Sequence, residues 1–209
     1  MLTGVSDPKC SLRMSPGLIA GLGNPGIEYE KSRHNVGFMV IDAYAARYRA
    51  KWERSTKFNA MVCRIRHPSA GTVIGVKPMT FMNLSGEAVG RVSRYFGLPT
   101  ERISVIYDEL NLDLGLTKIS VTGSAGGHNG VASLLQHLGD GFVRFRIGIG
   151  PKVPVEMDMK DFVLDRFTEE EFQRVESNLP DYLNGLNLLL ERGVTVTMNH
   201  LNRRTQTDK

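Results

Sequence analysis

Short apolar runs and amphipathic stretches alternate along the chain, and this pattern predicts its strands and helices. Four runs rich in Val and Ile, each bounded by Gly, Pro, Asn or Asp, predict buried strands at residues 18–22, 72–76, 103–107 and 143–149. Two runs with stronger alternation indicate strands nearer a sheet edge, at residues 58–65 and 116–121. Apolar residues that recur at helical spacing predict helices at residues 36–48, 84–96, 131–138 and 169–190.

Strands that alternate with helices predict an α/β fold, in which a single domain holds a mixed, mostly parallel twisted sheet flanked by helices. A chain of 209 residues fits one domain. We expect residues 17–192 to form it, with a flexible N-terminal extension at 1–16 and a C-terminal tail at 193–209. In open α/β sheets the ligand site lies where loops leave the strands, so we expect it at the carboxyl ends of the central strands.

Composition narrows the class of protein. Hydrophobic residues make up 41% and charged residues 23%, a globular mixture. No apolar run approaches the roughly 20 residues of a membrane helix, and residues 1–16 lack the apolar core of a secretory signal. We therefore expect a cytoplasmic protein that does not enter membranes. The two cysteines provide neither a disulfide framework nor the spacing of a metal site.

Charge is distributed unevenly, although the net charge is only +4. Residues 47–66 hold seven basic side chains and one acid, whereas residues 156–191 hold ten acids and three basic side chains. The basic segment is compatible with a polyanion such as RNA. Two solvated faces of opposite sign would give the same pattern, so charge alone leaves both interpretations open.

Polar residues follow the predicted strands, among them Asn24, His34, Asn83, Asp108 and Asn129. If the strands run parallel, their loops converge on one cleft with one imidazole, one carboxylate and several carboxamides. A His beside an Asp is the minimum for a general base that deprotonates water, and carboxamides can bind a peptide group or an oxyanion. This set suits hydrolysis of an activated ester. A His34 that has no catalytic role fits the sequence about equally well.

Other chemistries find less support in the sequence. No serine carries the local signature of a nucleophile, and the five histidines lack the spacing of metal ligands. Residues 21–26 match the G-x-G-x-x-G pattern of dinucleotide sites. However, Pro25 and Gly26 predict a turn where that site needs a helix, and Asp42 lies within a helical stretch, so we disfavour a dinucleotide. We expect these glycines to let the backbone turn tightly and bring Asn24 to the floor of the cleft.

Five blocks of sequence form an ordered set of motifs. They are Gly-Leu-Gly-Asn-Pro-Gly at 21–26 with Tyr29 and Arg-His-Asn-Val-Gly at 33–37, Lys-Pro-Met-Thr-Phe-Met-Asn-Leu-Ser-Gly at 77–86, Asp-Glu-Leu at 108–110, Gly-Gly-His-Asn-Gly at 126–130 and Arg-Phe-Arg-Ile-Gly-Ile-Gly at 144–150. The set resembles the signature of bacterial-type peptidyl-tRNA hydrolases over about residues 17–192. The resemblance implies a monomeric α/β enzyme, without metal or cofactor, whose substrate is peptidyl-tRNA. It would cleave the ester between a peptide, or an N-blocked aminoacyl group, and the 3′-terminal ribose of tRNA.

Several residues of this chain stand at positions that match catalytic residues of the family. The resemblance implies that His34 is the catalytic base and that Asp108 is the carboxylate that orients it. It also implies that the amides of Asn24, Asn83 and Asn129 hold the peptidyl group, the attacking water or the oxyanion.

The remaining matches concern the groove and the tRNA. The resemblance implies that Met82 lines the same groove, although packing alone is the commoner role of a methionine. Tyr29 would belong to the pocket for the tRNA end, and Arg146 would contact the tRNA 5′ phosphate. The family's usual lysine partner of that arginine aligns with Ser120, and Lys118 is the nearest lysine. Strand residues two apart share a face, so Lys118 is a candidate substitute from one step away, and the sequence leaves open whether it takes that role.

Two rival classes share part of this pattern. A non-catalytic RNA-binding relative would keep the basic segment but lose His34 and Asp108, which are both present. A general ester hydrolase would act equally on substrates without tRNA. We expect His128, within the glycine-rich loop, to shape that loop.

Overall fold

The computed structural model describes residues 16–204 of the chain, with side chains to residue 202. The predicted N-terminal extension, residues 1–16, lies outside this part except for its last residue. The seven strands between residues 16 and 204 are β1 (Leu18–Gly21), β2 (Glu53–Ser55), β3 (Ala60–His67), β4 (Gly71–Pro78), β5 (Ile103–Asp113), β6 (Thr117–Ser120) and β7 (Val143–Gly150). The α-helices of the same part are α1 (Val36–Arg47), α2 (Ser85–Phe96), α3 (Asn129–Leu138), α4 (Met159–Leu164) and α5 (Glu169–Arg204).

The strands form one mixed sheet in the order β2-β3-β4-β1-β5-β7-β6. The four inner strands β4, β1, β5 and β7 run parallel to one another, whereas β2, β3 and β6 pair antiparallel towards the edges. Helices cover both faces, so the predicted single α/β domain with a mostly parallel sheet is confirmed. Burial on both faces explains why the inner strands are unbroken apolar runs in the sequence.

None of the helices between residues 16 and 204 has the length together with the apolar character that a bilayer crossing requires.

Side chains of the inner strands alternate between two apolar cores, one on each face of the sheet. In β1, Ile19 joins the core beneath α1 and α5, and Leu18 joins the core beneath α2 and α3. At the start of α1, glycines let its backbone approach the end of β1 closely. A Cβ at Gly21 would come within 2.3 Å of the carbonyl oxygen of Gly37, and a Cβ at Gly37 within 2.5 Å of that of Leu22. This close contact fixes the position of the loop between β1 and α1, which lies at the carboxyl end of the sheet.

Three elements differ from the sequence predictions. β2 has three residues and α4 has six, too few for either to show a hydrophobic repeat. The last helix is predicted to end at residue 190 but continues as α5 to Arg204, with a break at Gly193 where φ is 76°. Beyond the break Val194 is buried, and Asn202 bonds to both backbone groups of Ile119 in β6. The part of the predicted tail from residue 193 to residue 202 therefore packs against the sheet.

Candidate active site

A cleft of about 790 Å³ opens at the carboxyl ends of β1, β4 and β5. Its walls come from the loops that follow these strands, from the glycine-rich loop before α3 and from α4. Seven of the residues predicted for the site line it: Asn24, His34, Met82, Asn83, Asp108, Asn129 and Arg146. Tyr29 and Lys118 are not among the lining residues. The parallel inner strands explain the convergence, because their carboxyl ends lie at one edge of the sheet.

His34 lies in a 3₁₀ turn that leads into α1. Its Nδ1 is 2.8 Å from Oδ1 of Asp108, and both side chains are buried. Arg33 holds this turn in place, since its Nη2 is 2.6 Å from Oε2 of Glu171 and its guanidinium lies 4.3 Å from the ring centre of Phe162. The sequence does not reveal this role because the partners of Arg33 belong to helices far along the chain.

A second imidazole, that of His128, contacts the same carboxylate. Its Nε2 is 3.0 Å from Oδ1 of Asp108, and its Nδ1 accepts the backbone N–H groups of Gly130 and Val131 at 3.1 and 3.2 Å. Because Nδ1 accepts, we assign the proton of the neutral ring to Nε2, which donates to Asp108. His128 therefore caps α3 and holds the carboxylate at once. The one sequence signal for this second contact is its place in the Gly-Gly-His-Asn-Gly block.

The charge of Asp108 determines which nitrogen of His34 carries a proton. Burial acts to raise the pKa of Asp108, but the electrostatic attraction and hydrogen bonds of His34 and His128 outweigh it and hold that pKa well below its usual range. An ionised carboxylate can only accept hydrogen bonds, so both imidazoles donate to it. His34 thus donates through Nδ1, and in its neutral form it keeps a lone pair on Nε2.

Backbone hydrogen bonds hold Asn24 in one orientation. Its Oδ1 accepts the N–H of Met82 at 2.8 Å. The side chain of Asn35 pairs with both backbone groups of Asn24, accepting its N–H at 2.8 Å and donating to its carbonyl at 3.0 Å. Because its oxygen is occupied, Asn24 offers the cleft its amide donors. Asn35 does not line the cleft, and only its position directly after His34 in the second motif hints at its importance.

The floor and rim of the cleft differ in burial. Met82 is buried in the floor, and a Cβ at Gly130 would lie only 2.5 Å from its Sδ and 2.9 Å from Cδ1 of Leu22. Glycine at this position lets α3 approach the floor closely. Asn83 and Asn129 are exposed at the rim. Their amides can therefore meet a bound molecule that covers the cleft.

Two basic residues, Lys118 and Arg146, are paired across neighbouring strands, and one of them lines the cleft. Lys118 of β6 is the register partner of Arg146 in β7, which puts the two side chains on the same face of the sheet. Arg146 lines the cleft, and its Nη1 is 3.4 Å from Oε2 of Glu109. Ser120 is instead the partner of Arg144, whose guanidinium bonds to the glycine-rich loop. In this chain the lysine directly beside Arg146 is therefore Lys118.

The imidazoles and the carboxylate form the one group of ligand-type side chains that could hold a metal within the described part of the chain. The relevant atoms of His34, Asp108 and His128 lie within 4.8 Å of one another. Both imidazole nitrogens that point to Asp108 carry protons in the hydrogen-bonded arrangement. A metal ion would have to displace those protons, so the donor set fits a proton network better than a metal site.

An imidazole with a free nitrogen, held by an ionised carboxylate and surrounded by amides, is suited to general-base attack by water on a carbonyl. The fold and the cleft together define an α/β protein whose cleft is suited to ester hydrolysis.

Comparison with known proteins narrows this class. The family model "Peptidyl-tRNA hydrolase" matches residues 18–209. The peptidyl-tRNA hydrolase of Bacillus pumilus is 44% identical over 188 residues, which cover 88% of this chain and 97% of that protein. The one from Gloeobacter violaceus is 39% identical over 189 residues, which cover 90% of this chain and 94% of that protein.

A solved structure agrees with these relatives. The crystal structure of peptidyl-tRNA hydrolase from Acinetobacter baumannii is similar with a TM-score of 0.83 at 34% identity, covering 90% of this chain and 96% of that one. The chain belongs to the peptidyl-tRNA hydrolase family, and the resemblance of its five motifs is confirmed.

Proposed function

We propose that this protein hydrolyses the ester between a peptide, or an N-blocked aminoacyl group, and the 3′-terminal ribose of tRNA. Family membership supports the reaction class. The observation that carries the mechanism is the 2.8 Å contact between Nδ1 of His34 and Oδ1 of Asp108. It leaves Nε2 of the neutral imidazole free to accept a proton.

The chemistry follows from that free nitrogen. Nε2 of His34 takes a proton from a water molecule as the water oxygen attacks the ester carbonyl. The tetrahedral intermediate then breaks its bond to the ribose 3′ oxygen, and the imidazolium returns the proton to that oxygen. Asp108 stabilises the imidazolium while it exists. The products are a peptide with a free carboxyl group and tRNA with a 3′ hydroxyl, and no metal or cofactor takes part.

The amides supply binding and charge stabilisation. Asn24 offers donors because Met82 occupies its oxygen, whereas Asn83 and Asn129 at the rim can both donate and accept. We assign them to the peptidyl group, the water and the oxyanion, and Met82 to the apolar floor. One well-placed oxyanion donor contributes about 3–4 kcal/mol in a serine protease.

The first experiment tests the base. His34→Ala should lower kcat for peptidyl-tRNA by about 10²-fold or more, since a general base contributes about 10²–10⁴-fold. The affinity for tRNA should change little. His200→Ala is the matched control, because it removes an exposed imidazole. Assays run with excess chelator and with a simple ester as second substrate test metal independence and the requirement for tRNA. Turnover of His34→Ala at the wild-type level would contradict the assignment.

A second experiment tests selection of the blocked amine. The α-amino group of an aminoacyl-tRNA has a pKa of about 7.7–8.0 and is largely or partly cationic. It also lacks the acyl carbonyl that the amides would bind. N-acetylated aminoacyl-tRNA should therefore be cleaved faster than the free form. Equal rates would count against binding by the amides.

The third experiment tests the basic pair. We assign Arg146 and Lys118 to the tRNA 5′ phosphate, and Tyr29 to the pocket of the tRNA end. Lys118→Gln should raise KM for 5′-phosphorylated peptidyl-tRNA but not for the same substrate after dephosphorylation. An equal rise for both substrates would refute the assignment of Lys118.

We further propose that the enzyme acts as a monomer in the cytoplasm.

A further inference from the structure

The basic segment noted in the sequence folds into a groove of its own. This groove has a volume of about 800 Å³ and lies along the β2–β3 edge of the sheet, between the end of α1 and the end of α2. Six cationic side chains line it: Arg49, Lys51, Arg54, Lys57, Arg64 and Arg66. Among the described residues, Glu53 is the one carboxylate in its lining. The cleft described above shares none of these residues.

No ion pair within the described residues offsets the charge of the six cations. Across the described residues, none of the six has a carboxylate within ion-pair distance. By contrast, Lys77 lies 2.7 Å from Asp42 and Arg33 lies 2.6 Å from Glu171. Uncompensated like charges repel one another, and a bound polyanion would remove that repulsion. Phosphate groups in series would therefore stabilise the charges of this groove.

The outer edge of β3 positions two of the cations of the groove. β2 pairs only with residues 60–62 of β3, so among residues 16–204 the outer edge of β3 has no strand partner beyond that point. Arg64 and Arg66 are two apart and hence on one face of β3. Charged side chains on an edge strand also prevent pairing with another chain. That role does not account for the cations at 49–57, which lie mostly outside the strands.

An aromatic ring lies among the cations. Tyr95, at the end of α2, is 58% exposed. Edge-to-face contacts with Phe58 and Phe96 hold its ring, with centroid distances of 5.2 and 5.1 Å, and Nζ of Lys57 lies 4.0 Å from its centre. Fixed, exposed aromatic rings beside cations are where proteins stack unpaired bases. A duplex hides its base faces, so only a single strand can use such a ring.

We propose that this groove, defined by the six cations and Tyr95, is a second nucleic-acid site that binds a single strand. Phosphates would contact the cations, and a base would stack on Tyr95 once the Nζ of Lys57 turns from the ring to a phosphate. The basic pair of the cleft lies on β6 and β7, so four strand spacings, or about 19 Å, separate β3 from β7. The groove is therefore separate from the basic pair that we assign to the tRNA 5′ phosphate. The inference goes beyond the proposed hydrolysis and does not depend on it.

Binding can be measured without any ester. The probe is a fluorescently labelled RNA of about 12 nucleotides, within the site sizes of single-strand binders, and the readout is anisotropy of the full chain. Arg64→Gln combined with Arg66→Gln should weaken binding and make the log–log salt dependence shallower by about 1.4. Tyr95→Ala should weaken it at least about fivefold. The matched control, Arg174→Gln with Arg192→Gln, removes two exposed cations of α5 and should leave binding unchanged.

Further arms identify the ligand and separate the two sites. A DNA strand of the same sequence shows whether ribose hydroxyls contribute, and a duplex should bind more weakly than either single strand. The groove variants should hydrolyse peptidyl-tRNA with wild-type kcat and KM. Equal RNA affinity for the groove and control variants would overturn the proposal. A raised KM for peptidyl-tRNA would overturn it too, because the groove would then belong to the substrate's own binding surface.

Discussion

Replacing Asp108 by Asn removes a charge while keeping the shape of the side chain. In Asp108→Asn the amide can present either its oxygen or its NH₂ at the position of Oδ1. The Nε2–H of His128 already points there, and its tautomer is set by two backbone N–H groups. His128 therefore selects the amide oxygen, and His34 keeps its proton on Nδ1. The variant should retain the free nitrogen of the base and lose only the negative charge.

The size of the effect follows from that lost charge. Two unit charges about 4 Å apart attract by about 4 kcal/mol at an effective dielectric of about 20. This attraction acts on the imidazolium, which forms only during the reaction. Because about 1.4 kcal/mol corresponds to a tenfold change in rate, kcat of Asp108→Asn should fall about 10³-fold with little change in KM.

Adding His128→Ala should lower the rate further. Without the donor of His128 the amide can rotate and offer its NH₂ to Nδ1 of His34. The imidazole proton then moves to Nε2, and the base is lost, an effect of about 10⁴ in a serine protease with the wrong tautomer. Single-turnover hydrolysis of peptidyl-tRNA by both single variants and the double variant measures this. Asp113→Asn, an exposed carboxylate of β5, is the control. A kcat of Asp108→Asn within tenfold of the wild type would refute the reasoning.

Three further predictions concern stability. Gly130→Ala should cost about 1–3 kcal/mol by overpacking against Met82, measured by urea denaturation, and an unchanged midpoint would contradict the contact. Asn35→Ala should cost about 1–3 kcal/mol for each backbone group of Asn24 left unpaired, and kcat/KM should fall although the side chain does not line the cleft. The lowered pKa of Asp108 means that the unfolded chain binds the extra proton as the pH falls below about 4, so stability is lost with acid. Between about pH 3 and 5, the free energy of unfolding of Asp108→Asn should fall less steeply with decreasing pH than that of the wild type. Equal slopes for the two proteins would exclude this linkage.

Local pattern was sufficient for the inner strands of the sheet and for the family. The four inner strands are visible because burial on both faces demands continuous apolar residues. His34 and Asp108 follow from motif positions at the carboxyl ends of these strands, where any α/β sheet gathers its loops. The pattern did not predict β2 and α4, because segments of three and six residues are too short to show a hydrophobic repeat.

Only the tertiary structure decided which atoms meet. It brings His128 into contact with Asp108, 20 residues earlier in the chain, and it pairs Lys118 of β6 with Arg146 of the neighbouring β7. It also places the basic segment and Tyr95 around one groove. Hydrogen bonds and ion pairs depend on distances of a few ångströms between groups remote in the chain, and composition and periodicity carry no such distances. The sequence by itself therefore determined the elements and the kind of chemistry, whereas the packing of loops onto the sheet determined the proton positions and the partner of each charge.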